Sequence, residues 1–175
     1  MKKRCFIFIL LIISIFPVLG KVNFNIESSF SELIDVVNYS ESRNIFSEQE
    51  IEVSPKIIFD FFSLGFIVSS GRGNTVLNLD IYKNLGRLDY ISLGIECGFI
   101  IGIITIKAKL LGKLLVFSSD YGTLHSISSV AGSVGIKLFS YNSFILSLNL
   151  PFCIDFCSYG LSYSTGIGLS LGKSV

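Results

Sequence analysis

The only histidine, His125, stands in "YGTLHSISS" with three serines following it. A histidine near serines could act as general base for a hydroxyl nucleophile, provided both side chains share a face within hydrogen-bond reach. On a strand, His125 shares its face with Ile127 and Ser129, while Ser126 and Ser128 point the other way. Ser129 is then roughly 13 Å away at about 3.3 Å per residue. The spacing does not build a nucleophile–base pair. Four cysteines, Cys5, Cys97, Cys153 and Cys157, offer little more. An extended 153–157 puts its two thiols about 13 Å apart, too far for a bridge, and His125 alone is too little to complete a metal site with them. "GRG" at 71–73 is too short for a phosphate-binding loop and opens no helix. No carboxylates are paired at a useful spacing. The chain is expected to carry no catalytic residue, no metal and no cofactor.

The elements that would position such groups are strands. From Tyr90 to Ile103 the odd positions read Ile91, Leu93, Ile95, Cys97, Phe99, Ile101 and Ile103, against Tyr90, Ser92, Gly94, Glu96 and Gly98. The even positions from Phe144 to Phe156 are all large and apolar, and their partners include Ser143, Ser147, Asn149, Cys153 and Asp155. In "GLSYSTGIGLSLG", 160–172, Leu161, Tyr163, Thr165, Ile167, Leu169 and Leu171 alternate with serines and glycines only. A helix would not sort residues this way; a strand does. Each segment is long enough to cross a bilayer as a tilted strand of about 9–11 residues. Val22, Phe24 and Ile26 begin a weaker strand; Phe61 and Phe62 blur the pattern in 56–69. Turn residues occur at 70–73, 83–89, 118–122, 140–142 and 157–160. At Ile103–Ile104 the alternation changes phase, which requires a bulge or a tight turn, and Gly102 suits either. With a turn there, eight strands are expected, at roughly 22–30, 56–69, 74–82, 90–103, 105–117, 128–139, 143–156 and 160–172.

Composition bounds the setting. The 175 residues suffice for one domain. Half are hydrophobic and 15% are charged, against roughly 25% in soluble domains. Residues 1–20 have a basic start, an apolar run from Phe6 to Phe16, and Val18 and Gly20 at the small-residue positions before Lys21. That pattern is a cleavable signal peptide, leaving 21–175 as one domain. Beyond Lys2, Lys3 and Arg4, 11 basic residues face 13 acidic ones. This balance does not suit nucleic acid.

The identity of the polar face decides which side is outside. Strands facing water need Lys, Glu, Thr and Arg, whereas serine and glycine give little solubility and suit a narrow lumen. The apolar face is therefore expected to meet membrane lipid. Glu96, Lys107, Lys109, Lys137 and Asp155 project with the small residues and become candidate lumen charges, paired for structure or forming an ion path. Tyr82, Tyr90, Tyr141 and Tyr159 sit at strand ends, where interfacial girdles form. Segment 31–52 carries Glu32, Asp35, Glu41, Glu48, Glu50 and Glu52 against Arg43 alone. It reads as an acidic solvent loop, and the capping-box spacing of Ser29 and Glu32 permits a short helix near 30–38. Glu41, Arg43, Glu48, Glu50 and Glu52 are the candidate surface for a protein partner.

The signal peptide, the dyad repeat over about 22–172 and the short turns resemble small outer-membrane β-barrels of the OmpA-transmembrane and OmpX type. The resemblance implies an all-β, antiparallel, up-and-down transmembrane barrel of about eight strands in the outer membrane, with a structural or surface-interaction role. The chain departs from that type in ending "LSLGKSV" instead of on an aromatic residue. Some small membrane barrels are lipid A deacylases, with His and Ser two residues apart on one strand; here position 127 is isoleucine, so no enzyme is expected. A narrow pore is the close second. The alternatives are a soluble periplasmic barrel holding an apolar ligand inside, and an inner-membrane protein anchored by residues 6–19.

Overall fold

A computed structural model describes residues 22–38, 43–78, 87–117, 124–157 and 160–174. They form eight strands: β1 (Val22–Asn38), β2 (Arg43–Phe59), β3 (Phe62–Asn78), β4 (Arg87–Ile101), β5 (Ile104–Phe117), β6 (Leu124–Tyr141), β7 (Phe144–Cys157) and β8 (Gly160–Ser174). Each pairs antiparallel with its neighbour in sequence, and β1 closes the barrel on β8. Residues 1–21, with the expected signal peptide and the 6–19 anchor, lie outside the described residues.

The register fixes the shape. From Phe24 the pairs run through Ile57, Leu64, Cys97, Ala108, Gly132, Phe152 and Thr165, and return to β1 at Ile34, ten residues on. Eight strands closed with this stagger tilt by roughly 40° and leave an interior just wide enough for side chains.

Three two-residue turns, Asp60–Phe61, Gly102–Ile103 and Asn142–Ser143, lie at one end, called here the turn end. Gly102 has φ 61°, and Asn142 and Ser143 have φ 44° and 69°. Such left-handed values match the twist of the flanking strands in tight hairpins. The phase change at Ile103–Ile104 is therefore a turn. At the opposite, loop end, the connections 39–42, 79–86, 118–123 and 158–159 lie outside the described residues.

Two expectations are corrected. Residues 31–38 and 43–52 are neither loop nor helix; they complete β1 and begin β2. The segment 56–69 is not one strand, because Asp60–Phe61 is a hairpin turn, and 70–73 runs through β3 instead of turning. β6 carries a bulge between Lys137 and Phe139, which sends both Leu138 and Phe139 outward.

Candidate functional site

Every strand presents large apolar residues on the outer wall. Phe66 is 70% exposed, and Ile34, Ile51, Leu93, Leu110, Val130, Leu150 and Leu169 are also exposed. On β7 the outward row runs from Phe144 to Phe156, about 30 Å along the axis at roughly 3.3 Å per residue and this tilt. That height matches the hydrocarbon core of a bilayer. Phe61, Phe99, Phe139 and Tyr141 are exposed at the turn end, and Phe156 and Tyr163 toward the loop end, as aromatic girdles are placed. Inward, the wall is polar: Ser54, Ser63, Ser69, Ser92, Ser129, Ser133, Ser162, Ser164 and Ser170 are buried with eight charged residues. The chain is a transmembrane β-barrel. The interior is the reverse of one that would dissolve an apolar ligand, which removes the soluble lipid-binding alternative.

No protein-family model and no curated protein matches the chain. Its fold is similar to solved surface barrels. Neisserial surface protein A shares 12% identity at a TM-score of 0.48, over 88% of this chain and 99% of that one. Ail, the attachment invasion locus protein of Yersinia pestis, solved with the heparin analogue sucrose octasulfate, shares 14% at 0.47, over 86% and 97%. Ail in a phospholipid bilayer nanodisc shares 14% at 0.45, over 89% and 100%.

The lumen of this barrel is organised in layers. At the turn end, Lys56 Nζ donates to Glu27 Oε2 at 2.6 Å and to Glu96 Oε1 at 2.9 Å. Ser54 Oγ donates to the same Glu96 oxygen at 3.4 Å. Lys107 reaches the other Glu27 oxygen, and Lys109 donates to Glu52 Oε2 at 2.6 Å. Three carboxylates and three ammonium groups thus balance within one layer. Glu27 on β1 and Lys107 on β5 stand on opposite walls, so their contact crosses the lumen. Lys137 lies nearer the turn-end mouth, where it lines a cavity of about 80 Å³ with Glu27, Lys56 and Ser147.

Above this layer Ile67, Leu111, Ala131 and Cys153 are buried against one another. This apolar layer separates the balanced charges from a second, acidic set near the loop end. There Lys113 Nζ donates to Asp155 Oδ2 at 3.0 Å, and the Cys153 thiol donates to Asp155 Oδ1 at 3.1 Å. Ser162 donates to Asp35. Glu48 is buried beside them, and Glu50, half-buried, points inward too. Lys113 also lies 4.9 Å from the centre of the Tyr90 ring.

Of the candidate lumen charges, Glu96, Lys107, Lys109 and Asp155 are in ion pairs and Lys137 borders the mouth. The acidic surface candidates divide. Glu48 and Glu52 are buried lumen residues, 2% and 6% exposed, and Glu50 faces the same way. Glu41 and the side chain of Arg43 lie outside the described residues. Glu27, Lys56 and Lys113 were absent from the sequence-based set, although each has an outward apolar neighbour on its strand, Ile26, Ile57 and Leu114 respectively. His125 belongs to β6, with its side chain outside the described residues. Cys97 and Cys153 are free thiols, and the Cys157 side chain is not described.

Tyr90 is a correction as well. It is 2% exposed inside the lumen, not in a girdle, because it falls on the inward face of β4. Its ring crosses to β3 and lies on Gly71, where an added Cβ would stand 2.1 Å from Tyr90 Cζ. Gly71→Ala is therefore expected to destabilise the barrel by about 1–3 kcal/mol through forced movement of a buried ring. Urea titration should show most of that loss disappearing in a Tyr90→Ala background.

Proposed function

We propose that this protein is an integral outer-membrane barrel with a structural or surface-interaction role, exported by cleavage of residues 1–20 and carrying no enzyme active site. The observation that carries this reading is the blocked interior. A cross-lumen ion pair and the Ile67–Leu111–Ala131–Cys153 layer fill the space a solute would need. What remains for function is the wall, which meets lipid, and the loop-end connections, which include Glu41 and would meet a protein partner. In an outer membrane the short turns face the periplasm and the longer connections face outward.

The reading is tested in liposomes with single cysteines in an otherwise cysteine-free chain. Cysteine at Ile167 or Leu169 is expected to react with a lipid-soluble thiol reagent, and cysteine at Ser164 with neither that reagent nor a bulky water-soluble one. Rapid labelling at 164 by the bulky reagent would mean an open lumen. The narrow pore is the second reading, on one observation. Ser129, Ser133 and Ser164 turn hydroxyls into the lumen without a hydrogen-bond partner among the described residues, positions that water in a channel would satisfy. Planar-bilayer recording separates the two: a filled barrel gives no stepwise conductance.

A further inference from the structure

Glu32 is an anomaly on the outer wall. It is exposed on β1 between Phe30 and Ile34, which are 48% and 58% exposed on the same face. Beside it on β8 is Ile167, also exposed. The carboxylate thus stands within the apolar belt, with apolar side chains above it, below it and to one side. To the other side the wall becomes polar. Glu32 is in register with Gln49 on β2, and Gln49 with Arg72 on β3. Gln49, Arg72 and Ser70 are all exposed, and the Arg72 side chain is 61% exposed while its Nε donates to Asp89 Oδ1 at 3.2 Å. Around the rest of this half of the barrel, Ile91, Leu114, Phe156 and Tyr163 point outward.

Ionisable groups on a lipid-facing wall are costly and need partners. We infer that the row Glu32–Gln49–Arg72 is a contact surface for a second copy of this chain. Two copies in one membrane share an orientation, so a two-fold axis relating them lies along the bilayer normal. An axis just outside Gln49 sets β1 of each copy against β3 of the other. Glu32 then faces Arg72 of the other copy twice over, and the two Gln49 side chains meet on the axis. The stagger of the barrel raises Arg72 about 6 Å toward the loop end relative to Glu32, a gap that an extended arginine side chain spans. The charge order favours this occupant over a lipid. A second copy supplies a cation for Glu32 and a further carboxylate for Arg72, whose Nε already pairs with Asp89 while most of its side chain stays exposed, whereas one amine head group would answer only Glu32.

The test uses the full barrel, cysteine-free, folded into phosphatidylethanolamine–phosphatidylglycerol liposomes at a low protein-to-lipid ratio. The heat-dependent gel shift of folded barrels confirms insertion separately, so failure to associate is distinct from failure to form a membrane barrel. Gln49→Cys is expected to give disulfide-linked dimers on the order of tenfold more readily than Ile106→Cys on β5 across the barrel, a difference worth about 1.4 kcal/mol. In the Gln49→Cys background, Glu32→Arg alone and Arg72→Glu alone should each reduce cross-linking to the Ile106→Cys level. Mixing the two charge variants should restore it between unlike chains, since every introduced charge then meets its opposite. Equal cross-linking at Gln49 and Ile106 in inserted protein overturns the inference. So does indifference to the charge changes, or loss without recovery on mixing, the result expected if Glu32 answers a lipid amine or another protein.

Discussion

Lys56→Met lowers the unfolding free energy of the barrel by about 3–5 kcal/mol, the expected result for removing one partner from a buried ion cluster. Lys56 is 3% exposed and touches two carboxylates from different strands, Glu27 and Glu96. The Glu96 side chain is fully buried and its second oxygen, Oε2, makes no hydrogen bond among the described residues. Without Lys56 that carboxylate keeps its desolvation cost and loses its closest cation. Adding Glu96→Gln removes the stranded charge, so the double variant should recover more than half of the loss. The contrast is Arg72→Ala, which breaks the exposed pair with Asp89 and is expected to cost less than about 1 kcal/mol. The chain contains no tryptophan, so the measurement is the gel-shift fraction or far-ultraviolet circular dichroism across a urea series in liposomes. A cost below about 1 kcal/mol for Lys56→Met would mean that solvent screens the lumen, and would favour the pore.

The second large effect is on the other face. Leu169→Arg is expected to destabilise the inserted barrel by about 2–4 kcal/mol, the cost of a cation near the bilayer midplane. Leu169 is 50% exposed between Ile167 and Leu171 and has no acidic neighbour in register, facing Phe30 on β1 and Leu148 on β7. Tyr163→Arg, toward the loop end of the same strand, should cost about 0–1 kcal/mol because an interfacial arginine reaches head groups and water. The ratio between the two sites is the diagnostic quantity. Equal costs would place the whole of β8 in one environment, which a membrane does not provide.

How much of this was legible depended on which signal each segment carried. β4, β5, β7 and β8 were readable to within about three residues at each end, because outward residues that are mostly large and apolar alternate with small or polar ones through most of their length. Gly102 marked its turn by a phase change alone. The failure at 31–52 came from treating acidic residues as a mark of solvent. In a barrel with a charged lumen, charge belongs to the inner face, and the period was present: Glu48, Glu50 and Glu52 alternate with Gln49, Ile51 and Val53. The Asp60–Phe61 turn was hidden by aromatic residues on both sides. Phe59 and Phe62 stack with ring centres 6.4 Å apart across the hairpin, and Phe62 packs at 5.3 Å on Phe99. A turn held by rings lacks the glycine or proline that usually marks one. The partners within the lumen were not legible at all. Glu27 meets Lys107 across eighty positions of sequence, a contact created by barrel closure and not by any local spacing.

The pairing order has a consequence for how such a chain can be made. Seven of the eight strand pairings join neighbours in sequence, and only β1 with β8 joins the two ends. Local hairpins can therefore form and dock in succession, at little entropic cost for each loop closed. The last pairing is different: its thirteen rungs, from Asn25 with Ser174 to Val37 with Ser162, exist only once β8 has arrived. Until then the sheet is open on two edges, each presenting unpaired backbone groups in a solvent that offers them no hydrogen bonds. A chain stopped short of Gly160 would keep both edges permanently, and would be a substrate for aggregation or degradation instead of a smaller barrel.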